Sequence, residues 1–195
     1  MISGPSGAGK GAICAGLAAR TNAMLSVSMT TRDPREHEVE GKSYYFVDKE
    51  HFENVVAEDG LFEYVEVFGE YYGTPKEPVL SCLAEGRDVI LEIEVNGAMQ
   101  TKKSIPDAIL VFVLPPSAVD LKKRIEVRGT ESPERIKRRL ARAAMEIDQI
   151  GNYDYLIIND LLDSAVEDML AIIRAERLRV NASTEEVLKD YNLKQ

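Results

Sequence analysis

The chain has 195 residues, 45% of them apolar and 29% charged, with a net charge of −9 at neutral pH. This balance suits one globular domain and excludes a disordered tail protein, and no apolar run reaches the about 18 residues that a membrane span needs. The acidic total excludes a general footprint for nucleic acid, although nine Lys or Arg against three Asp or Glu lie between Lys122 and Arg142, a basic island suited to a compact anion. Met1-Ile2-Ser3-Gly4-Pro5 has neither a basic start nor an apolar stretch, so no leader is expected and the protein is expected to be cytoplasmic. Cys14 and Cys82 are far apart and outside any CxxC spacing, which argues against a disulfide framework or a structural zinc site.

In chain order, apolar spacing predicts a helix over Lys10 to Arg20 and a short strand over Leu25 to Ser28. Asp48 is placed to cap a helix running to about Ala57, and Leu61 to Phe68 reads as a strand. Thr74-Pro75 has the form of an N-cap and first-turn pair, opening a helix to about Glu85. Asp88 to Glu94 and Ala108 to Leu114 read as strands, and Ser117 caps a helix to about Val127. Ser132-Pro133 opens another helix to about Ile150, Tyr155 to Ile158 is a buried strand, and Leu162 to Arg179 is an amphipathic helix. Apolar strands alternating with helices predict an α/β fold, a parallel sheet covered on both faces. Residues 32–74 and 124–142 break the rhythm and are expected to be insertions over the C-terminal edge of that sheet, where such folds bind ligands.

Gly4-Pro5-Ser6-Gly7-Ala8-Gly9-Lys10 fits GxxxxGK, the phosphate-binding P-loop. The glycines let successive backbone N–H groups turn toward phosphate oxygens, the following helix aims its positive end at them, and Lys10 adds a point charge. The motif's next position, normally Ser or Thr for Mg²⁺, is Gly11, followed by Ala12, so Mg²⁺ is expected to rely on phosphates, water and another residue. Only Met1 to Ser3 precede the loop, fewer than the about five or six residues of a typical strand, which predicts a weakened sheet centre.

GPSGAGK is followed in order by SMTTRDPRE (Ser28 to Glu36), GKSYYF (Gly41 to Phe46), FGEYYGTP (Phe68 to Pro75), LEIEVNG (Leu91 to Gly97), RGTES (Arg128 to Ser132) and IINDLL (Ile157 to Leu162). The chain resembles the guanylate kinase family over nearly its whole length. The resemblance implies a P-loop NTPase-type core (1–31, 75–123 and 143–180), a small mixed α/β GMP-binding lobe (about 32–74), a helical lid (about 124–142) and a tail (181–195). It implies transfer of the ATP γ-phosphate to GMP with Mg²⁺, in a monomer or homodimer that binds neither nucleic acid nor membrane.

The resemblance also carries roles. Gly4, Pro5, Ser6, Gly7, Ala8, Gly9, Lys10 and Gly11 would bind ATP, with Asn159 beside the adenine. Arg32, Arg35, Tyr44 and Tyr72 would hold the GMP phosphate. Ser28, Glu63, Thr74 and Glu94 would read guanine, with Glu92 on the same strand face as Glu94. Arg128 and Arg139 would close from the lid, so that Lys10, Arg32, Arg128 and Arg139 form the catalytic set. The chemistry agrees: paired guanidinium forks and tyrosine hydroxyls suit a dianionic phosphate, carboxylates accept from guanine N1–H and its amine, and a hydroxyl donates to O6. On residue type alone, Glu63 reads as a solvated acid between aromatics; the family register places it inside. Glu94-Val95-Asn96-Gly97 stands where the family has Asp-x-Gln-Gly, an acid one methylene longer. The alternative reading is a catalytically weak or non-catalytic guanylate-kinase-like module that binds proteins.

Overall fold

The computed structural model describes residues 1–67, 69–127 and 133–180. The elements run β1 (Ile2–Ser3), α1 (Lys10–Arg20), β2 (Met24–Leu25), β3 (Met29–Thr30), β4 (Tyr45–Phe46) and α2 (Lys49–Ala57). Next come β5 (Leu61–Val67), β6 (Glu70–Pro75), α3 (Lys76–Ala84), β7 (Val89–Ile90), α4 (Val95–Ser104) and β8 (Val111–Leu114). The chain continues with α5 (Ala118–Val127), α6 (Pro133–Ile147), a short 3₁₀ turn (Ile150–Asn152), β9 (Tyr155–Ile158) and α7 (Leu162–Arg177).

The parallel sheet is assembled from two pieces. One has the order β1-β8-β9 and the other pairs β2 with β7. An isolated parallel bridge joins Ile2 to Glu92, and Ile2 N–H donates to the Leu91 carbonyl at 2.8 Å. The resulting order is β2-β7-β1-β8-β9, with the phosphate-binding strand in the middle. β1 is as short as its sequence implies, but it is bonded on both sides. The Met1 carbonyl accepts from Val111 N–H at 2.9 Å, and the Met1 ammonium donates to the Ile109 carbonyl at 2.6 Å. Burial pulls that ammonium's pKa down to about 6.

Both faces of this sheet are covered. Ile13, Cys14 and Leu17 of α1 and Val166 and Met169 of α7 pack on Ile2, Val113 and Ile157. On the other face Val79 and Ala98 pack with Phe62, Leu91, Ile93 and Leu110. Each fully buried aliphatic side chain of this kind contributes about 1.5–3 kcal/mol. A second sheet, β4-β3-β6-β5, forms the lobe over residues 29–75, and Phe52 of α2 packs on Met29 and Leu61 and stacks on Tyr71 at 5.4 Å. α5 and α6 make a helical pair with its own apolar seam, Leu121, Ile125 and Ala143.

Asp48 caps α2 as expected, accepting from His51 N–H at 2.7 Å, and Ser117 accepts from Asp120 N–H at 3.1 Å. Four local expectations differ. The strand over 155–158 is not buried, because β9 lies at the edge of the sheet and leaves Leu156 and Ile158 exposed. Thr74 and Pro75 belong to strand β6, because Pro75 is in register with Leu61 and the Thr74 hydroxyl is bonded to Glu63 rather than to a helix N–H. The strand over 88–94 is a regular ladder strand only at Val89 and Ile90 and continues as the single bridge of Glu92 to Ile2, and a helix not anticipated, α4, starts immediately after Glu94. The expected strand over 25–28 is split, with Met24–Leu25 in the core sheet and Met29–Thr30 in the lobe. No described helix is long and apolar enough to cross a membrane.

Candidate active site

The P-loop turns between β1 and α1 with Gly4, Gly7 and Gly9 all at positive φ. At Gly4 (φ +142°) a Cβ would lie 2.2 Å from the Val113 carbonyl oxygen of the neighbouring strand, so any side chain there would break the loop away from the sheet. At Gly9 (φ +90°) a Cβ would meet the Asn159 amide at 2.3 Å. The Lys10 ammonium lies across the loop and donates to the Gly4 carbonyl at 2.6 Å; burial lowers its pKa, with Glu92 acting in the opposite sense.

Opposite the loop stands a cluster of aromatic and charged side chains. Arg32 places its guanidinium 5.5 Å from the Tyr44 ring centroid and donates through Nε to the Tyr72 hydroxyl at 3.3 Å. Its two terminal nitrogens fork onto Glu38 at 2.9 and 3.0 Å, and the backbone N–H of Arg35 donates to the same carboxylate at 2.8 Å. These bonds, that from Arg32 first, hold the Glu38 pKa down to about 2.

The base-reading candidates come from separate strands. Glu63 of β5 accepts from the Thr74 hydroxyl of β6 at 2.7 Å, while its other oxygen faces Gly97, where a Cβ would sit only 2.8 Å away. Burial first, and then the field of Glu94, raise the Glu63 pKa against the lowering effect of Thr74. A cavity of about 390 Å³ joins the two halves, lined by Ser6, Gly9 and Lys10 on one side and by Ser28, Tyr44, Glu92 and Glu94 on the other. A larger cavity of about 570 Å³ lies at the opposite, N-terminal edge of the sheet, among apolar residues such as Val89, Ile109 and Ile173, with no part of the motif chemistry.

The family model for guanylate kinase matches residues 1–176. Among curated proteins the chain is 51% identical over 179 residues to the guanylate kinase of Thermus thermophilus, covering 92% of this chain and 81% of that one. It is 48% identical over 188 residues to the guanylate kinase of Clostridium tetani, covering 96% and 90%. The chain belongs to the guanylate kinase family. Its fold agrees with the crystal structure of guanylate kinase from Anaplasma phagocytophilum, with a TM-score of 0.77 at 30% identity over 97% of this chain and 92% of that one.

Within this guanylate kinase fold the candidate residues divide. Ser28, Tyr44, Glu92 and Glu94 share the cavity with the phosphate loop, and Arg32 and Tyr72 join Tyr44 at its rim. Glu63 and Thr74 form a bonded pair beside Glu94. Arg139 of α6 reaches the loop itself, donating to the Ser6 hydroxyl. Arg35 contributes its backbone N–H to Glu38. Asn159 is only 6% exposed, and its amide donates to the Ala8 carbonyl at 2.8 Å, so it props the loop from beneath. Arg128 and the tail 181–195 lie outside the described residues.

Two side chains bonded here, Glu38 and Arg142, did not stand out in the sequence. Glu38, six residues past Arg32, clamps that arginine, and an acid at that spacing after an arginine is too common to signal a site. Arg142 bonds to Glu94 from a helix 48 residues away and looked like an ordinary surface cation. Arg124 donates to the Asn159 carbonyl at 3.0 Å, tying α5 to the prop beneath the loop.

Proposed function

We propose that this edge of the sheet carries out transfer of the ATP γ-phosphate to GMP, with the donor on the P-loop and the acceptor across the cavity. The observation that carries the reading is the single cavity in which the loop faces Tyr44, Glu92 and Glu94. Loop N–H groups, the α1 N-terminus and Lys10 take the donor phosphates. Arg32 with Tyr44 and Tyr72 takes the acceptor phosphate, and Arg35 stands close by. For Arg32 this is an exchange of Glu38 for phosphate. Each partner is a charge-assisted hydrogen-bond acceptor worth about 1.5–3 kcal/mol, so the lobe gives up little when it engages substrate.

Glu63 and Glu94 accept from guanine N1–H and the exocyclic amine, and Ser28 and Thr74 supply hydroxyls near O6. Adenine offers the opposite donor and acceptor pattern and would leave these groups unpaired once the base covers them, which is why AMP is expected to fail. Arg139, with Arg128, adds positive charge over the transferring group from the lid side. No protein base is needed, because the acceptor phosphate has a second pKa of about 6 and is already anionic. Positioning and charge neutralisation then carry the in-line transfer.

The residues present fit Mg²⁺ held mainly by nucleotide phosphates and water. No hydroxyl follows Lys10, and the Glu92 carboxylate comes within 3.5 Å of where a Cβ on Gly11 would stand, so Glu92 is the residue that would hold the ion's side facing the protein. When bound, the ion neutralises phosphate charge.

The test is coupled ADP release with Mg-ATP and GMP, AMP, CMP, UMP or no acceptor. Turnover with GMP far above the others is expected. Equal turnover with AMP would overturn the base reading, and none with any acceptor would favour the protein-binding module.

A further inference from the structure

Arg142 lies one turn after Arg139 on α6, in a basic stretch where a cation is ordinarily a solvated helix-face residue. Its side chain is about half exposed, yet two of its nitrogens are engaged by carboxylates. Its Nη2 donates to Glu94 Oε2, and its Nε donates to Glu146 Oε1 at 3.0 Å. Glu146 is a fixed post, its side chain only 15% exposed. Burial lowers the Arg142 pKa, but the facing carboxylates of Glu94 and Glu146 more than offset this, and the net shift is upward.

Glu94 has no anchor on its own element. It is the N-cap residue of α4, yet its side chain makes no capping hydrogen bond. Across from it, Glu63 is held by Thr74, and the field of Glu94 is one cause of the raised Glu63 pKa. Two carboxylates aimed at one small volume repel each other, and the longer acid has an extra torsion to fix.

We propose that Arg142 is the positioning residue for guanine recognition, a strut that holds Glu94 through Oε2 and leaves Oε1 facing the base. The strut runs Glu146–Arg142–Glu94, with its rigid end in α6 and its working end at the mouth of α4. Its positive charge also offsets the repulsion between Glu94 and Glu63, so both stay available as acceptors. A glutamate reaches one methylene further than an aspartate, and here the extra reach is taken up by an arginine. The proposal rests on the reading of Glu94 as a guanine contact.

Steady-state kinetics on the full chain at saturating Mg-ATP test it, with GMP and with inosine monophosphate, which lacks the exocyclic amine. Arg142→Gln is expected to raise KM for GMP about tenfold or more and to leave kcat and KM for ATP within about twofold. KM for inosine monophosphate should move much less, so discrimination between the two acceptors falls. Adding Glu94→Asp to Arg142→Gln should restore most of the loss, because the shorter acid needs no strut. An unchanged KM for GMP, a parallel rise for both acceptors, or no rescue by Glu94→Asp would each overturn the proposal. Glu94→Gln alone separates the two readings. If it leaves KM for GMP unchanged, the guanine role of Glu94 falls and the strut with it. If it raises KM while Arg142→Gln does not, only the strut falls. Thermal melts of each variant check that the fold is intact.

Discussion

The donor loop and the acceptor pocket face each other across one cavity and are built on opposite principles. The loop is made of backbone: its glycines turn N–H groups inward, and one lysine supplies the side-chain charge. The acceptor pocket is made of side chains from distant strands, and its key charges are already paired, Arg32 with Glu38 and Glu94 with Arg142. Backbone N–H groups carry only partial charges and can stay hydrated without a counter-ion, whereas full side-chain charges gathered in a partly buried pocket call for counter-charges. The loop is therefore contiguous in the chain, and the facing pocket is a set of paired charges that a substrate would have to exchange.

Four variants break or sharpen this contrast. Lys10→Ala removes the loop's only side-chain charge and is expected to lower kcat/KM by about 10³-fold, the scale of losing one preorganised donor to a transferring group; near-normal turnover in a stopped assay would contradict the donor assignment. Arg32→Ala removes one acceptor-side fork and leaves Glu38 with only the Arg35 N–H, so KM for GMP should rise by about 10²-fold with KM for ATP unmoved. A matching rise in KM for ATP would erase the distinction between the two sides.

Glu63→Gln keeps the shape and the acceptor for Thr74 but removes a carboxylate that burial holds above its ordinary pKa. KM for GMP should rise by about 30-fold while Tm at neutral pH rises by about 2 °C. The sign follows from linkage. A carboxyl whose pKa is higher folded than unfolded adds stability as pH falls through the folded value, and that gain is complete near the unfolded value of 4.5. The variant should lack this part of the pH dependence in parallel melts, and a lower Tm for Glu63→Gln would show that the ionised form is the better packed one. The smallest effect belongs to Asn159→Ala. Losing one hydrogen bond under the loop costs about 1 kcal/mol, seen as about a fivefold rise in KM for ATP and none for GMP.

Legibility followed the same divide. GPSGAGK could be read directly because its chemistry is local and its positions are contiguous. Asp48 and Ser117 were legible for the same reason, since a cap bonds a backbone group a few residues ahead. Thr74-Pro75 carries the local signature of a helix start, but pairing with β5 and the bond to Glu63 hold it in a strand until Lys76. α4 escaped notice because its N-cap makes no side-chain bond and an apolar strand runs straight into it. Glu63 was placed by family register alone, and Arg142 not at all, because their partners lie 11 and 48 residues away and only the folded chain brings them together.

The helix α6 carries Arg139 to the phosphate loop and Arg142 to Glu94, three residues apart on one rigid rod. A rotation of the helix that changes one contact changes the other, so on the proposed roles of these residues the two substrates would be linked through a single mechanical part. If bound ATP changes the affinity for GMP by drawing Arg139 over its phosphates, bound GMP must change the affinity for ATP by the same factor.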